Sequence, residues 1–246
     1  MGNATRLLQY VVDGTKGYSA TIALGKSTVT DDREGEIIKT TPPEILAKVQ
    51  DSEISRSLSE MVGKISQRPS SVSAIKVAGK TGHERVRAGE DFELPSREVT
   101  ITSIDIHSIT RGSTDISIEI SVICSAGTYI RAIARDLGDA LGVGGHLTAL
   151  RRTLVSPFEI AECAGWEDAT PISTAAGISR ILPVRDLAPE ELSEISFGRT
   201  ISANSSAGPH AGLAGDGTFV ALLENRDFKE RNLATPIMVS MKESAS

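Results

Sequence analysis

Aromatic side chains are scarce: one Trp, three Tyr and five Phe make up 4% of the 246 residues, so the core must be built from Ile, Val, Leu and Ala. Cysteine is scarcer still. Cys124 and Cys163 stand far apart, without a C-x-x-C pair or a histidine at ligand spacing, which excludes a disulfide framework and fits a reduced, intracellular chain. The four histidines (His83, His107, His146, His210) are isolated, so no zinc-type ligand set is present. No apolar run reaches the roughly 20 residues of a membrane span, and no signal-length run opens the chain; a cytoplasmic protein is expected.

Several catalytic signatures are missing as well. "LGKST" at residues 24–28 has Ala20 where a phosphate-binding loop needs its first glycine, and acidic turn residues where that loop needs a helix. No G-x-S-x-G elbow occurs, and no G-x-G-x-x-G follows a strand. No cofactor is implied.

What is present begins with charge. The net charge of −6 argues weakly against nucleic acid, yet the stretch from Lys64 to Arg87 holds six basic residues against the single acid Glu84. Such a stripe is either a solvated loop or the kind of surface a phosphate backbone needs.

Periodicity supplies the elements. Ala4, Leu7, Leu8, Val11 and Val12 recur at helical spacing between a capping Asn3 and Gly14, predicting an opening helix. "GYSATIALG" is strand-prone, "TVTDDREGE" a polar turn, and about 43–65 helical; "VSAIKVAG" reads as a strand. "EVTITSIDIHSI" and "DISIEISVIC" alternate about a turn at Arg111-Gly112-Ser113, predicting paired strands. Two further helices are predicted, "TYIRAIARDLG" and "GGHLTALRRT". After Phe158 a linker-like stretch gives way to a small mixed unit, so an α+β domain with a β-rich appendage is expected.

In "SAGTYIRAIARDLG" (125–138), Arg131 and Arg135 stand one helical turn apart on one face, where like charges repel. Either solvent and nearby carboxylates such as Asp136 and Asp139 answer them, or another anion does.

Four stretches in this order carry a resemblance: "KGYSATIALGKSTVTDDREGE" (16–36), "SSVSAIKVAGK" (70–80), "CSAGTYIRAIARDLG" (124–138) and "GGHLTALRRTLVSPF" (144–158). Together they resemble the TruB family of pseudouridine synthases, and the tail from Leu182 resembles the small C-terminal domain of bacterial members. The resemblance implies a pseudouridine synthase fold, with a mixed, mainly antiparallel sheet and flanking helices but lacking its first elements. It assigns residues 1–165 to that domain, 166–180 to a linker and 181–246 to a small PUA-like C-terminal domain. It implies isomerisation of uridine-55 in the TΨC arm of tRNA by a monomer, by base flipping and an aspartate nucleophile, without metal or cofactor.

Residue by residue, the resemblance implies that Tyr18 stacks on the extruded base and that Tyr129 and Leu150 line its pocket. Asp32 matches an acidic turn residue beside the site, where capping the turn is an equal reading. Arg131 matches the arginine that pairs with the catalytic aspartate, for which a planar guanidinium is suited. Arg151 and Arg152 are expected on RNA backbone, as are Lys76, Lys80, Arg85 and Arg87; Arg135 faces either phosphate or a surface acid. The aspartate itself lies, in the family, in a G-x-L-D-P-x-A-T-G segment ahead of the first helix, and no L-D-P string occurs in these 246 residues. The expectation is therefore an N-terminally truncated, inactive chain in which Arg131 lacks its anion, with a tRNA-binding protein on the same fold as the alternative.

Overall fold

The computed structural model describes residues 2–70, 76–77, 80–81, 94–165, 167–228 and 231–240. A 3-10 helix (Gly2–Leu7) leads to α1 (Gln9–Val12), β1 (Lys16–Leu24), β2 (Lys26–Thr28), β3 (Ile37–Thr40), α2 (Pro43–Leu46), α3 (Asp51–Glu60) and β4 (Gly63–Gln67). Next come β5 (Lys76–Val77), β6 (Lys80–Thr81), β7 (Arg97–Arg111), β8 (Ile116–Cys124), α4 (Ile130–Ala140), β9 (Gly145–Val155) and β10 (Phe158–Glu159). The chain continues through α5 (Thr174–Ser179), β11 (Val184–Asp186), α6 (Pro189–Ser196), β12 (Ile201–Ser202), β13 (Pro209–Leu213), β14 (Phe219–Phe228) and β15 (Arg231–Val239). Two compact units form: residues 13–162, and residues 1–12 with 163–246.

The first unit is built on a six-stranded sheet in the order β10-β9-β1-β8-β7-β4, antiparallel throughout. The alternation read in "DISIEISVIC" is realised in β8: Ile116, Ile118, Ile120, Val122 and Cys124 are buried, while Glu119 is exposed on the other face. The buried face packs on Ile54 and Leu58 of α3 and on Ile130, Ile133 and Leu137 of α4. Fully burying each such aliphatic side chain contributes about 1.5–3 kcal/mol, which lets a core almost free of aromatics hold.

Helix α4 lies against the start of β9 at backbone distance. A Cβ on Gly138 would collide with the backbone of Gly144 and Gly145, and one on Gly145 with the carbonyl of Ala134. Gly138 therefore sits in a helix, at a cost of about 0.5–1 kcal/mol in propensity, because only hydrogen fits there.

The second unit holds a five-stranded sheet, β11-β13-β14-β15-β12, parallel only at β11–β13. Leu7 packs in this unit with Ile178, Ala211, Phe219, Leu222 and Met238. The first twelve residues thus group with the C-terminal portion, although the sequence reading placed all of 1–165 together. The apolar face of the opening segment needs a partner, and the second unit supplies it.

Four expectations differ from the structure in detail. "GGHLTALRRT" is not a helix but most of β9, because its pairing along β1 outweighs the helix preference of Leu, Ala and Arg. The opening helix is a 3-10 segment broken before the four-residue α1, so Leu7 is buried while Leu8 and Val12 stay exposed. The predicted helical span over 43–65 divides into α2 and α3, and β4 begins at Gly63, whose φ of 113° favours glycine. The stretch read as a linker contains α5, with Ile178 buried in the second unit.

Candidate active site

The polar turn between β2 and β3 folds back on the helix that follows β8. Arg131, in the first turn of α4, donates through Nη1 to Asp32 Oδ2 at 2.9 Å and to the Thr30 carbonyl at 3.0 Å. Asp32 Oδ1 in turn accepts from the Thr30 hydroxyl at 2.5 Å and the Glu34 backbone N–H at 3.1 Å. Burial pushes the Asp32 carboxyl up; the Thr30 hydroxyl, the Glu34 N–H and Arg131 outweigh it, and its pKa is held below the usual 3.8. The side chains of Arg131 and Asp32 are 24% and 27% exposed, so the pair borders solvent rather than lying in the core. Arg131 therefore does have an anion within this chain, contrary to the expectation that it lacks one.

Asp31 points the other way. Its φ of 59° lies in the left-handed region, which Asp tolerates better than most residues. Asp31 Oδ2 meets Arg135 Nη1 at 3.3 Å, with both side chains nearly buried. Burial pushes the Asp31 carboxyl above its ordinary range, against the opposing pull of Arg135, Ser70 and Arg131. Arg135 also donates Nε to Asp136 Oδ1 at 2.9 Å and Nη2 to the Arg68 carbonyl at 2.8 Å. Of the two readings for Arg135, its observed neighbours are carboxylates and a carbonyl.

The turn is tied to the main sheet. Leu147 N–H donates to the Asp31 carbonyl at 3.0 Å, and Asp32 forms an isolated bridge with Leu147. Further along β9, Leu150 pairs with Ala20 and Arg152 with Tyr18. Leu150 is 49% exposed, high for a leucine in a strand beside the central β1. Tyr18 is half-buried against the core, and the Arg152 guanidinium lies 5.4 Å from its ring centroid, a cation–π distance. Arg151, one residue back, is exposed and alternates to the opposite face. Lys16, buried near the start of β1, donates Nζ to the Gly14 carbonyl at 2.6 Å; burial, then Arg152, lowers its pKa.

Tyr129 immediately precedes α4. Its N–H donates to Gln67 Oε1 at 2.8 Å, and Gln67 Nε2 donates to the Tyr129 carbonyl at 3.1 Å. The Arg97 guanidinium lies 5.7 Å from the Tyr129 ring. Neither Gln67 nor Arg97 was singled out from sequence. A buried amide at the end of a short strand leaves no local mark beyond one polar residue at a core-facing position, and Arg97 reads as an ordinary strand terminus.

Along β9, then, Leu147 bridges Asp32, Leu150 faces Ala20 and Arg152 faces Tyr18, with Arg131 reaching Asp32 from α4. Lys76 and Lys80 lie on the short antiparallel pair β5–β6, and Arg85 and Arg87 lie outside the described residues. Among the described residues, no group of three or more His, Cys, Asp or Glu is placed to hold a metal, and no helix is long and apolar enough to cross a membrane.

The chain is similar to known proteins over nearly its whole length. Residues 1–130 match the description "TruB family pseudouridylate synthase (N terminal domain)", residues 131–174 "tRNA pseudouridylate synthase B C-terminal domain" and residues 182–235 "tRNA Pseudouridine synthase II, C terminal". The chain is 43% identical, over 97% of its length and 79% of the relative's, to tRNA pseudouridine synthase B of Paenarthrobacter aurescens (strain TC1). It is 44% identical, over 94% of its length and 77% of the relative's, to tRNA pseudouridine synthase B of Corynebacterium aurimucosum. Among solved structures, an H/ACA RNP bound to a substrate RNA containing 2′-deoxyuridine superposes with a TM-score of 0.64 at 18% identity, covering 98% of this chain and 70% of that one. A Cbf5-Nop10-Gar1 complex superposes with a TM-score of 0.62 at 21% identity, covering 96% and 69%. At those identities the likeness is one of fold, the α+β architecture with mainly antiparallel sheets and a β-rich C-terminal unit.

Proposed function

The chain belongs to the TruB family of pseudouridylate synthases, and on that premise we propose that it acts on tRNA, isomerising uridine-55 of the TΨC arm to pseudouridine. The reaction breaks the N1–C1′ bond, joins C5 to C1′, and trades the C5 proton for one on N1. It is redox-neutral and consumes no second substrate. The uridine must first leave its stack, which costs a few kcal/mol and calls for a platform to receive the base.

In this reading Tyr18 is that platform, with Leu150 and Tyr129 bounding the base. Arg131 orients a carboxylate nucleophile, for which its planar fork is suited, and Asp32 and the Thr30 carbonyl fix the guanidinium in place. Arg151, Arg152, Lys76, Lys80, Arg85 and Arg87 take the RNA backbone. The observation that carries the reading is the similarity to tRNA pseudouridine synthase B along nearly the whole chain, joined to the Arg131–Asp32 pair that meets β9 at Leu147, the strand on which Leu150 and Arg152 face Ala20 and Tyr18.

One observation favours a second reading. Arg131 is already paired with Asp32, so a tRNA-binding protein without isomerase activity, in which that arginine is a structural cation, is the alternative. The experiment uses the protein as expressed from its own gene and tRNA carrying tritium at C5 of uridine. Release of tritium to water supports isomerisation. Binding without release overturns it in favour of the alternative, and salt-insensitive or absent binding overturns both.

A further inference from the structure

Helix α4 carries two arginines one turn apart, and the turn opposite carries two consecutive aspartates. Each arginine takes one aspartate of the turn: Arg131 meets Asp32 at the solvent border, and Arg135 meets Asp31 in a nearly buried position. That division depends on the left-handed backbone of Asp31, which turns the two adjacent carboxylates to separate partners. Asp31 is also where three separate elements converge. Its carbonyl receives the N–H of Leu147 at the start of β9, and its carboxylate receives Arg135 of α4. Arg135 in turn holds the Arg68 carbonyl just beyond β4, and the hydroxyl of the fully buried Ser70 donates to the Thr30 carbonyl at 3.0 Å.

We propose that Asp31 and Arg135 are positioning residues: their buried ion pair fixes the 30–32 turn between α4, β9 and the end of β4, so that Asp32 and the Thr30 carbonyl present a preset cradle to Arg131. The assignment rests on the functional reading only for what Arg131 then does. Arg135 serves here as an internal strut, and its guanidinium is committed to Asp31, Asp136 and the Arg68 carbonyl. A surface pair would confer little rigidity, whereas a nearly buried one with further hydrogen bonds imposes a single geometry on the turn. Breaking it removes the constraint on the neighbouring carboxylate, and small displacements of an orienting group are costly to catalysis.

The titration of Asp32 reads this directly. Arg131 of α4 is the charged side chain that acts on Asp32; Arg135 and Asp136 of the same helix act on the adjoining Asp31, Arg33 and Glu34 flank Asp32 in its own turn, and β9 contributes the uncharged Leu147. Asp31→Asn keeps the size and the tolerance of left-handed backbone while removing one negative charge. By charge alone that change lowers the Asp32 pKa further. Loss of positioning does the opposite, because Asp32 loses its alignment with Arg131 and Thr30 and its pKa rises towards the ordinary carboxylate value. Carboxyl-carbon NMR on the full chain is therefore expected to show an upward shift for Asp32 in Asp31→Asn and in Arg135→Gln, and a smaller one in Arg135→Lys. An unchanged or lowered Asp32 pKa in folded Asp31→Asn overturns the proposal.

A second readout uses the protein from its own gene. Where it isomerises uridine, Asp31→Asn lowers kcat by about tenfold with KM for tRNA within about twofold. A loss confined to KM assigns the pair to RNA binding and overturns positioning. Wild-type protein without isomerase activity defeats the functional reading, and the Asp32 titration still decides this one.

Discussion

Arg131 reaches Asp32 across 99 residues of sequence, with Nη1 2.9 Å from Oδ2, and the same nitrogen also holds the Thr30 carbonyl. An arginine on the first turn of a helix is thereby fixed by a turn between two distant strands. This relationship joins α4, through Asp32 and its bridge to Leu147, to β9, which carries Leu150 and Arg152.

Replacing Arg131 by Ala leaves Asp32 without its cation at a site about a quarter exposed, so the stability loss is about 1 kcal/mol, after allowing for solvent screening. On the proposed reading, turnover is expected to fall much further, by about 10²–10³-fold in kcat, because Arg131 would orient the reacting carboxylate in the transition state. Arg131→Lys recovers little, since an ammonium cannot reproduce the fork. Urea unfolding and tritium release, measured on the same preparations, separate the two effects.

The folded Asp32 pKa lies below 3.8, so its carboxylate adds stability that is complete above that value and is lost as pH falls through the depressed folded pKa. Asp31 has the opposite sign. Its folded pKa is raised, so the contribution present below 3.8 is lost as pH rises through the folded value. Asp32→Asn is accordingly expected to flatten the acid limb of the stability curve below about pH 3.8. The check is the urea midpoint measured at intervals from neutral pH downwards, for wild type and variant.

Arg152 is expected to act on RNA in two ways, through phosphate and through the Tyr18 ring it covers. Arg151→Ala, changing an exposed arginine on the other face of β9, weakens tRNA binding and reduces the salt slope by about 1. Arg152→Ala gives the same slope change and in addition is expected to quench a base analogue's fluorescence at the flipped position less than wild type does, because the Tyr18 ring loses the cation over it. Titration of labelled TΨC-arm RNA at several salt concentrations measures both, and an unchanged slope for both variants removes them from the RNA surface.

Gly138→Ala is expected to destabilise the first unit by about 1–3 kcal/mol, although alanine is the better helix former, because the added methyl meets the backbone of Gly144 and Gly145. Gly142→Ala, where no heavy atom lies within 4 Å, meets no such collision and costs only the strain of its φ of 73°. Thermal melts of the two variants side by side test the difference.

Much of the fold was legible because it follows alternation. β7 and β8 stand where their two-residue period put them, joined at the turn read from Arg111-Gly112-Ser113, and α4 buries the stripe Ile130, Ile133, Ala134 and Leu137. β9 was not legible, because Leu, Ala and Arg favour a helix and only the facing strand β1 makes it extended. The opening segment showed its apolar face but not its partner, since Leu7 packs on residues more than 150 positions away, such as Ile178.

For the site, the resemblance pointed to Tyr18, Asp32, Tyr129, Arg131 and Leu150, while the pairing among them was hidden in long-range geometry. Nothing local distinguishes Asp31 from Asp32 in "TDD"; the left-handed φ of Asp31 sends them to different arginines. Gln67 and Arg97 stayed unseen for the same reason, because their partner Tyr129 is remote in sequence.

The most direct test of the account incubates the protein, as expressed from its own gene, with an unmodified tRNA transcript and maps pseudouridine by carbodiimide adduct and primer extension. The account predicts a single new stop reporting uridine-55, present with wild type and strongly reduced with Arg131→Ala. A transcript that is bound yet carries no adduct at that uridine, or carries adducts elsewhere, would contradict it.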